Sequence, residues 1–256
     1  KQGFKNKGLK TIMFHLIPDK KKPEPTALAW PDLYLRLAEQ AQHPLLKTFY
    51  QAGCVAPETP LNQVPFVAMD FETTGLNPQK NGIVSIGLVP FTLERIRCRL
   101  SQHWVLDPGK PLNAESVVIH GITHSDIDEA PDLEKILPKL LEALAGRVVV
   151  VHHRGIEQPF LSAALKARIG EGVMFPVVDT LELEARLHRG RAVGWWQRLL
   201  GKKPVSIRLA DSRTRYNLPY YAPHHALTDA LASAELLQAQ IADRLEPQAP
   251  IKTIWH

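Results

Sequence analysis

A mixed α/β fold, one five-stranded sheet flanked by helices, is predicted from two features of this chain. Three strand-like segments follow one another between residues 64 and 105, and strands then alternate with helices as far as residue 245. The 256 residues, 45% of them hydrophobic, suffice for one sizeable core without disulfide or metal staples.

The elements are taken in chain order. Residues 1 to 27 are basic and contain prolines, ending in Lys20, Lys21, Lys22, Pro23, Glu24, Pro25, which reads as an exposed segment or linker. Leu33, Leu35, Leu37 and Ala38, then Leu45, Leu46 and Tyr50, predict one or two helices from about Pro31 to Ala52, stopped by Gly53 and packed on the outside of the main domain. That extension, residues 1–63, precedes a main domain over 64–246 and a tail over 247–256. Val64 to Glu72, Gly82 to Phe91 and Arg97 to Val105 are the first three strands. An amphipathic helix over Asp132 to Ala145 leads into a buried strand, Arg147 to Val151. A helix from about Glu157 to Ile169, a short strand at Phe175 to Val178, and a helix from Leu181 to His188 continue the alternation. The last helix spans Ala226 to Leu245, with Leu227, Leu231, Ala234 and Ile241 at helical spacing.

Composition excludes several classes. The longest unbroken aliphatic run, Val148 to Val151, falls far short of the roughly 20 residues that cross a bilayer, so no membrane partner is expected. Residues 1 to 18 carry five lysine or histidine side chains and no acid, but Ile12 to Ile17 is too short and interrupted for a signal peptide. Cys54 and Cys98 belong to no C-x-x-C, which argues against structural zinc and for a reducing, cytoplasmic setting. A net charge of +5 and a pI near 9.2 favour an anionic partner without naming one. The charge is concentrated: Arg186 to Arg215 holds nine Lys or Arg and one acid, Asp211. Within it lies a basic insertion, about 188–206, containing Trp195 and Trp196.

Three acidic motifs stand at the ends of predicted core elements. Asp70 and Glu72 are two residues apart on a strand, so both side chains leave one face. Two anions beside a core are costly unless protons or a cation offset them, and hard oxygen ligands suit Mg²⁺ or Mn²⁺. Thr73, Thr74 and Gly75 then make a polar turn. Glu157 falls in the first turn of a helix, where the helix macrodipole alone also accounts for an acid; His152 and His153, just before it, read as strand-end surface residues. In the third motif His224 precedes Asp229 by five residues. On one helix such positions diverge by about 140°, which places His224 in the approach loop and Asp229 on the helix. A histidine overhanging a carboxylate suits a general base beside a metal ligand.

Together these segments resemble the DEDDh branch of the DnaQ-like exonuclease family, which includes polymerase proofreading subunits and RNase T-like enzymes; the likeness spans about Val64 to Leu245. Asp70-Phe71-Glu72-Thr73-Thr74-Gly75-Leu76 is similar to the first family motif and His224 to Asp229 to the third. Ile119-His120-Gly121-Ile122-Thr123 and Asp179-Thr180 match two further landmarks in order. The middle motif departs: His152-His153-Arg154-Gly155-Ile156-Glu157-Gln158-Pro159-Phe160-Leu161 stands where the family has H-N-x-x-F-D-x-x-F-L. Glu157 thus replaces an aspartate, moving the carboxylate by roughly one C–C bond, about 1.5 Å. His153 replaces an asparagine.

The resemblance implies an RNase H-like fold and a metal-dependent 3′ to 5′ exonuclease that releases nucleoside 5′-monophosphates from nucleic acid with a free 3′ end, single-stranded DNA foremost. It implies two Mg²⁺ or Mn²⁺ ions held by Asp70, Glu72, Asp229 and, directly or through water, Glu157, with His224 as general base. It sets the turn of Thr73, Thr74, Gly75 and Leu76 against the terminal nucleotide, with a turn residue alone as the other reading of Thr74, and adds His120 to the substrate contacts; His153, a departure from the family, either joins them or has no role. Arg198, Lys202 and Lys203 would attract phosphates while Trp195 and Trp196 either stack bases or bury the insertion against the core. RNA trimming, service as a polymerase proofreading subunit or with a repair partner, and a binding protein that has lost catalysis remain alternatives. Sequence separates neither DNA from RNA nor one oligomeric state from another.

Overall fold

A computed structural model describes residues 30–189 and 205–256. Five strands form one sheet: β1 (Phe66–Thr73), β2 (Ile83–Phe91), β3 (Gln102–Val105), β4 (Val148–Val151) and β5 (Val177–Asp179), in the order β3-β2-β1-β4-β5. The β1–β2 and β2–β3 pairs are antiparallel, and β1–β4 and β4–β5 are parallel. The helices are α1 (Trp30–Gln40), α2 (Pro44–Gln51), α3 (Ala114–His120), α4 (His124–Ile127), α5 (Leu133–Leu144), α6 (Arg154–Ile169), α7 (Thr180–Arg189), α8 (Leu209–Arg215) and α9 (Ala226–Arg244).

Alternation along β1 sorts the two cores. Val67, Met69 and Phe71 face α5, α6 and the N-terminal pair α1 and α2, with Tyr34, Leu46 and Phe49 buried in the same cluster. Phe66 and Ala68 face the other way, against Ala230, Ala234 and Leu237 of α9 and Leu183 of α7. Each fully buried leucine or phenylalanine adds roughly 1.5–3 kcal/mol, so the sheet is held from both sides. Asp70 and Glu72 continue the file of Phe66 and Ala68 and therefore emerge on the α9 side. Pairing of β1 with β4 ends at Ala68–Val150, so the two acids stand near the carboxyl end of β4. Residues 247–256 also pack on this core: Ile251 and Ile254 are buried, and Trp255 bridges to Val178.

The third strand is shorter than the predicted Arg97 to Val105, because Cys98–Leu100 is a 3₁₀ turn. The carbonyl of Pro90 accepts from the Arg97 amide at 2.9 Å, so the missing N–H of Pro90 lies on that same edge and the ladder there is short of a donor. The short strand predicted over Phe175 to Val178 is shifted to Val177–Asp179. Helix α6 begins at Arg154 rather than near Glu157. Its Arg154 amide donates to Asp179 Oδ2 at 3.0 Å, a cap supplied from β5.

Candidate active site

Asp70 and Glu72 on β1 and Asp229 in the first turn of α9 form one cluster: a carboxylate oxygen from each lies within 4.8 Å of the others. Two local features bring α9 this close. Gly87, paired with Asp70 across the β1–β2 ladder, leaves room for the helix; a Cβ there would lie 2.4 Å from the Ala226 backbone. His225 caps the helix, its Nδ1 facing the Thr228 amide at 3.4 Å, and its ring packs on His103 of β3 with centroids 4.8 Å apart. Gly87 was not singled out in the sequence, although a glycine inside an apolar strand is a signal for close backbone approach.

The cluster is strained electrostatically. Burial, then Glu157, Asp229 and Glu72, hold the Asp70 carboxyl well above the usual range. Burial and Asp229 push Glu72 up to about 7. Asp229 is raised by burial, an effect opposed by the His224 amide that donates to it. Glu157, 4% exposed, is pushed up to about 8 by burial and the nearby Asp179. It lies outside the group of three, but its Oε2 is buried and makes no hydrogen bond among the described residues. Three hard oxygen donors at this spacing, a fourth carboxylate with an unpartnered oxygen beside them, and mutual repulsion fit a divalent cation.

His224 lies in the loop before α9, exposed, with a left-handed backbone at φ +68°, while Asp229 is on the helix. His120, at the end of α3, has its pKa lowered by burial and by His224. In the turn after β1, Thr73 Oγ1 donates to the Gly75 carbonyl at 2.8 Å and Leu76 is 63% exposed. Thr74 is different. It is fully buried; its amide donates to the Gly82 carbonyl and its hydroxyl accepts from the Gly82 amide, so it holds the turn. His153 stands before α6 with its ring over Gly155. His152 is not the surface residue expected: its Nδ1 meets Thr180 Oγ1 at 2.8 Å, its Nε2 meets the Ile207 carbonyl at 3.1 Å, and burial lowers its pKa to about 4. Trp195, Trp196, Arg198, Lys202 and Lys203 lie outside the described residues.

An α/β domain with clustered carboxylates at the end of its central strand and a histidine on the adjoining loop has the layout of a metal-dependent phosphodiester hydrolase. The model of the RNase T family, described as exonuclease, matches residues 67–237. The chain belongs to this exonuclease family. It is 32% identical over 179 residues to a DNA polymerase III subunit epsilon-like protein of Rhodobacter capsulatus, covering 70% of this chain and 24% of that one. It is 29% identical over 171 residues to DNA polymerase III PolC-type of Thermotoga petrophila, covering 67% and 11%. With DNA polymerase III subunit epsilon of Treponema pallidum it shares 28% identity over 179 residues, covering 70% and 77%. The chain thus spans only a small part of the PolC-type and epsilon-like relatives. Among solved structures, Exonuclease X in complex with 5′ overhanging duplex DNA superposes with a TM-score of 0.54 at 21% identity, covering 70% of this chain and 92% of that one. The nuclease domain of 3′hExo, a DEDDh family member bound to rAMP, gives 0.57 at 15%, covering 71% and 94%. The fold is RNase H-like.

Proposed function

We propose that this chain is a divalent-metal-dependent 3′ to 5′ exonuclease that removes nucleoside 5′-monophosphates from a free 3′ end, with single-stranded DNA as its substrate. The observation that carries the proposal is the convergence of Asp70, Glu72 and Asp229 within 4.8 Å, with His224 on the loop that leads into Asp229's helix. Asp70, Glu72, Asp229 and Glu157 are the residues to hold two Mg²⁺ or Mn²⁺ ions. When bound, such a pair polarises the phosphodiester and offsets the charge that develops on its oxygens. His224 takes the proton of the attacking water, its exposed position giving it access to solvent and strand alike. The outward-facing part of the turn, Thr73, Gly75 and Leu76, takes the terminal nucleotide, with His120 and His153 at its margins. Basic residues between α7 and α8, Arg198, Lys202 and Lys203 among them, attract the backbone of the strand.

DNA is favoured as substrate, and a DNA polymerase as partner, by relatives that carry the name DNA polymerase III at 28–32% identity. The test is release of mononucleotides from matched DNA and RNA oligonucleotides, 3′-blocked or unblocked, with Mg²⁺, Mn²⁺ or EDTA. Metal-dependent trimming of the unblocked strand, absent in Asp70→Ala, is the expected result. Trimming that survives in a pure, folded Asp70→Ala preparation would overturn the assignment.

A further inference from the structure

The loop between α8 and α9 is held more firmly than its exposed position requires. Arg213 of α8 is 4% exposed, and every bond it makes serves this loop or α9. Its Nη1 donates to the Ala232 carbonyl at 2.7 Å, and its Nη2 to the Pro219 carbonyl at 2.8 Å and to Glu235 Oε2 at 2.7 Å. Its guanidinium lies over the Tyr221 ring, 4.5 Å from the centroid, and the Tyr221 hydroxyl donates to Glu235 Oε1 at 3.0 Å. Pro219 and Pro223 bracket the segment, each with its own φ fixed by its ring. A buried arginine is costly unless fully bonded, and here its bonds tie the loop, at the Pro219 carbonyl, to α9, at the Ala232 carbonyl and the Glu235 carboxylate.

What that stretch presents is Tyr220. This residue is 80% exposed. With Leu209, Leu218, Pro223 and Asp229 it lines a cavity between α8 and α9. The cavity adjoins the carboxylate cluster, since Asp229 of that cluster is among the residues that line it. An exposed aromatic ring on an anchored loop beside a phosphodiester site has the properties of a base-stacking platform, because every nucleobase offers a π-face. Leu76 already offers an apolar contact on the β1 side of the carboxylates, so Tyr220, on the α9 side, is left for a different base.

Resting on the exonuclease reading above, we infer that this cavity is a second nucleobase subsite, in which Tyr220 stacks on the base at the 5′ side of the scissile phosphate. It makes affinity depend on the penultimate nucleotide having a base, whatever that base is.

The test combines Tyr220→Ala and Tyr220→Trp with single-stranded DNA oligonucleotides that are intact or abasic at the penultimate position. Stacking of this kind predicts a rise in KM of roughly ten-fold for Tyr220→Ala, with kcat within about two-fold, and restoration by Tyr220→Trp. The abasic strand imposes a similar penalty on the wild type and little more on Tyr220→Ala. Dissociation constants from fluorescence anisotropy, with Ca²⁺ in place of Mg²⁺, move in parallel. Trimming with unchanged KM and Kd in Tyr220→Ala, or penalties from variant and abasic strand that multiply, would overturn the subsite. Binding with this tyrosine dependence but no trimming by the wild type would instead sink the nuclease assignment and leave the subsite standing.

Discussion

The main-chain amide of His224 donates to Oδ2 of Asp229 at 2.7 Å. This one bond fixes the loop residue to the helical carboxylate and leaves the imidazole free to turn. The left-handed backbone at His224, φ +68°, carries the chain into α9 while keeping the side chain outside the helix. If the imidazole is the general base, His224→Ala removes proton transfer and keeps the amide. A fall in kcat of about 10²- to 10⁴-fold is expected, with the metal-induced rise in melting temperature retained. A variant that lost metal stabilisation together with activity would show that His224 shapes the ligand set instead.

Glu157 bears an unpartnered buried oxygen beside Asp179. Without a cation its charge is opposed by burial, so Glu157→Gln is expected to raise the melting temperature of the metal-free protein above about pH 8, where the wild-type carboxyl ionises. The same change weakens the metal-induced shift and lowers kcat. Equal metal-induced shifts in Glu157→Gln and wild type would remove Glu157 from the ligand set.

The raised carboxyls also set a direction for pH dependence. Glu72 and Glu157 have ordinary values near 4.5 and folded values of about 7 and 8. Because the folded values are the higher ones, their contribution to stability is complete below about pH 4.5 and is lost as pH rises through the folded values. Metal-free protein is therefore expected to melt at progressively lower temperature from about pH 5 to pH 8. Mg²⁺ or Mn²⁺ binds the ionised forms, so its stabilising effect grows over the same window. Calorimetry at several pH values, with EDTA and with metal, measures both trends; a metal effect that is flat with pH contradicts them.

The residues that were legible in the sequence are those whose neighbours in space are also neighbours along the chain. The strand spacing of Asp70 and Glu72 put both on one face, and the five-residue step from His224 to Asp229 separated loop from helix; both hold in the structure. What was not legible depends on partners far away. The start of α6 is set by Asp179, 25 residues later, through its bond to the Arg154 amide. His152 is buried because the chain at Ile207 returns to meet it. Helices α3, α4 and α8 are only four to seven residues long and too short to show a hydrophobic period.

Gly87 offers the sharpest test of how the site is assembled. Its absent side chain is where the backbone of Ala226 and Leu227 sits, 2.4 Å from the position of a Cβ. A methyl group cannot be accommodated by rotating a side chain, because the atoms in the way are main chain. Gly87→Ala must therefore lift the start of α9 from β2, and Asp229, three residues into that helix, moves away from Asp70. Overpacking of this kind costs about 1–3 kcal/mol, while a displacement of about 1 Å at a reacting centre can cost on the order of 10²-fold in rate. The variant is thus expected to stay folded, to lose most of its activity, and to need more metal for whatever activity remains. Thermal melts, trimming rates and metal titrations on the same preparation separate these effects. Full activity with unchanged metal dependence would show that the approach of α9 to Gly87 does not govern the carboxylate geometry.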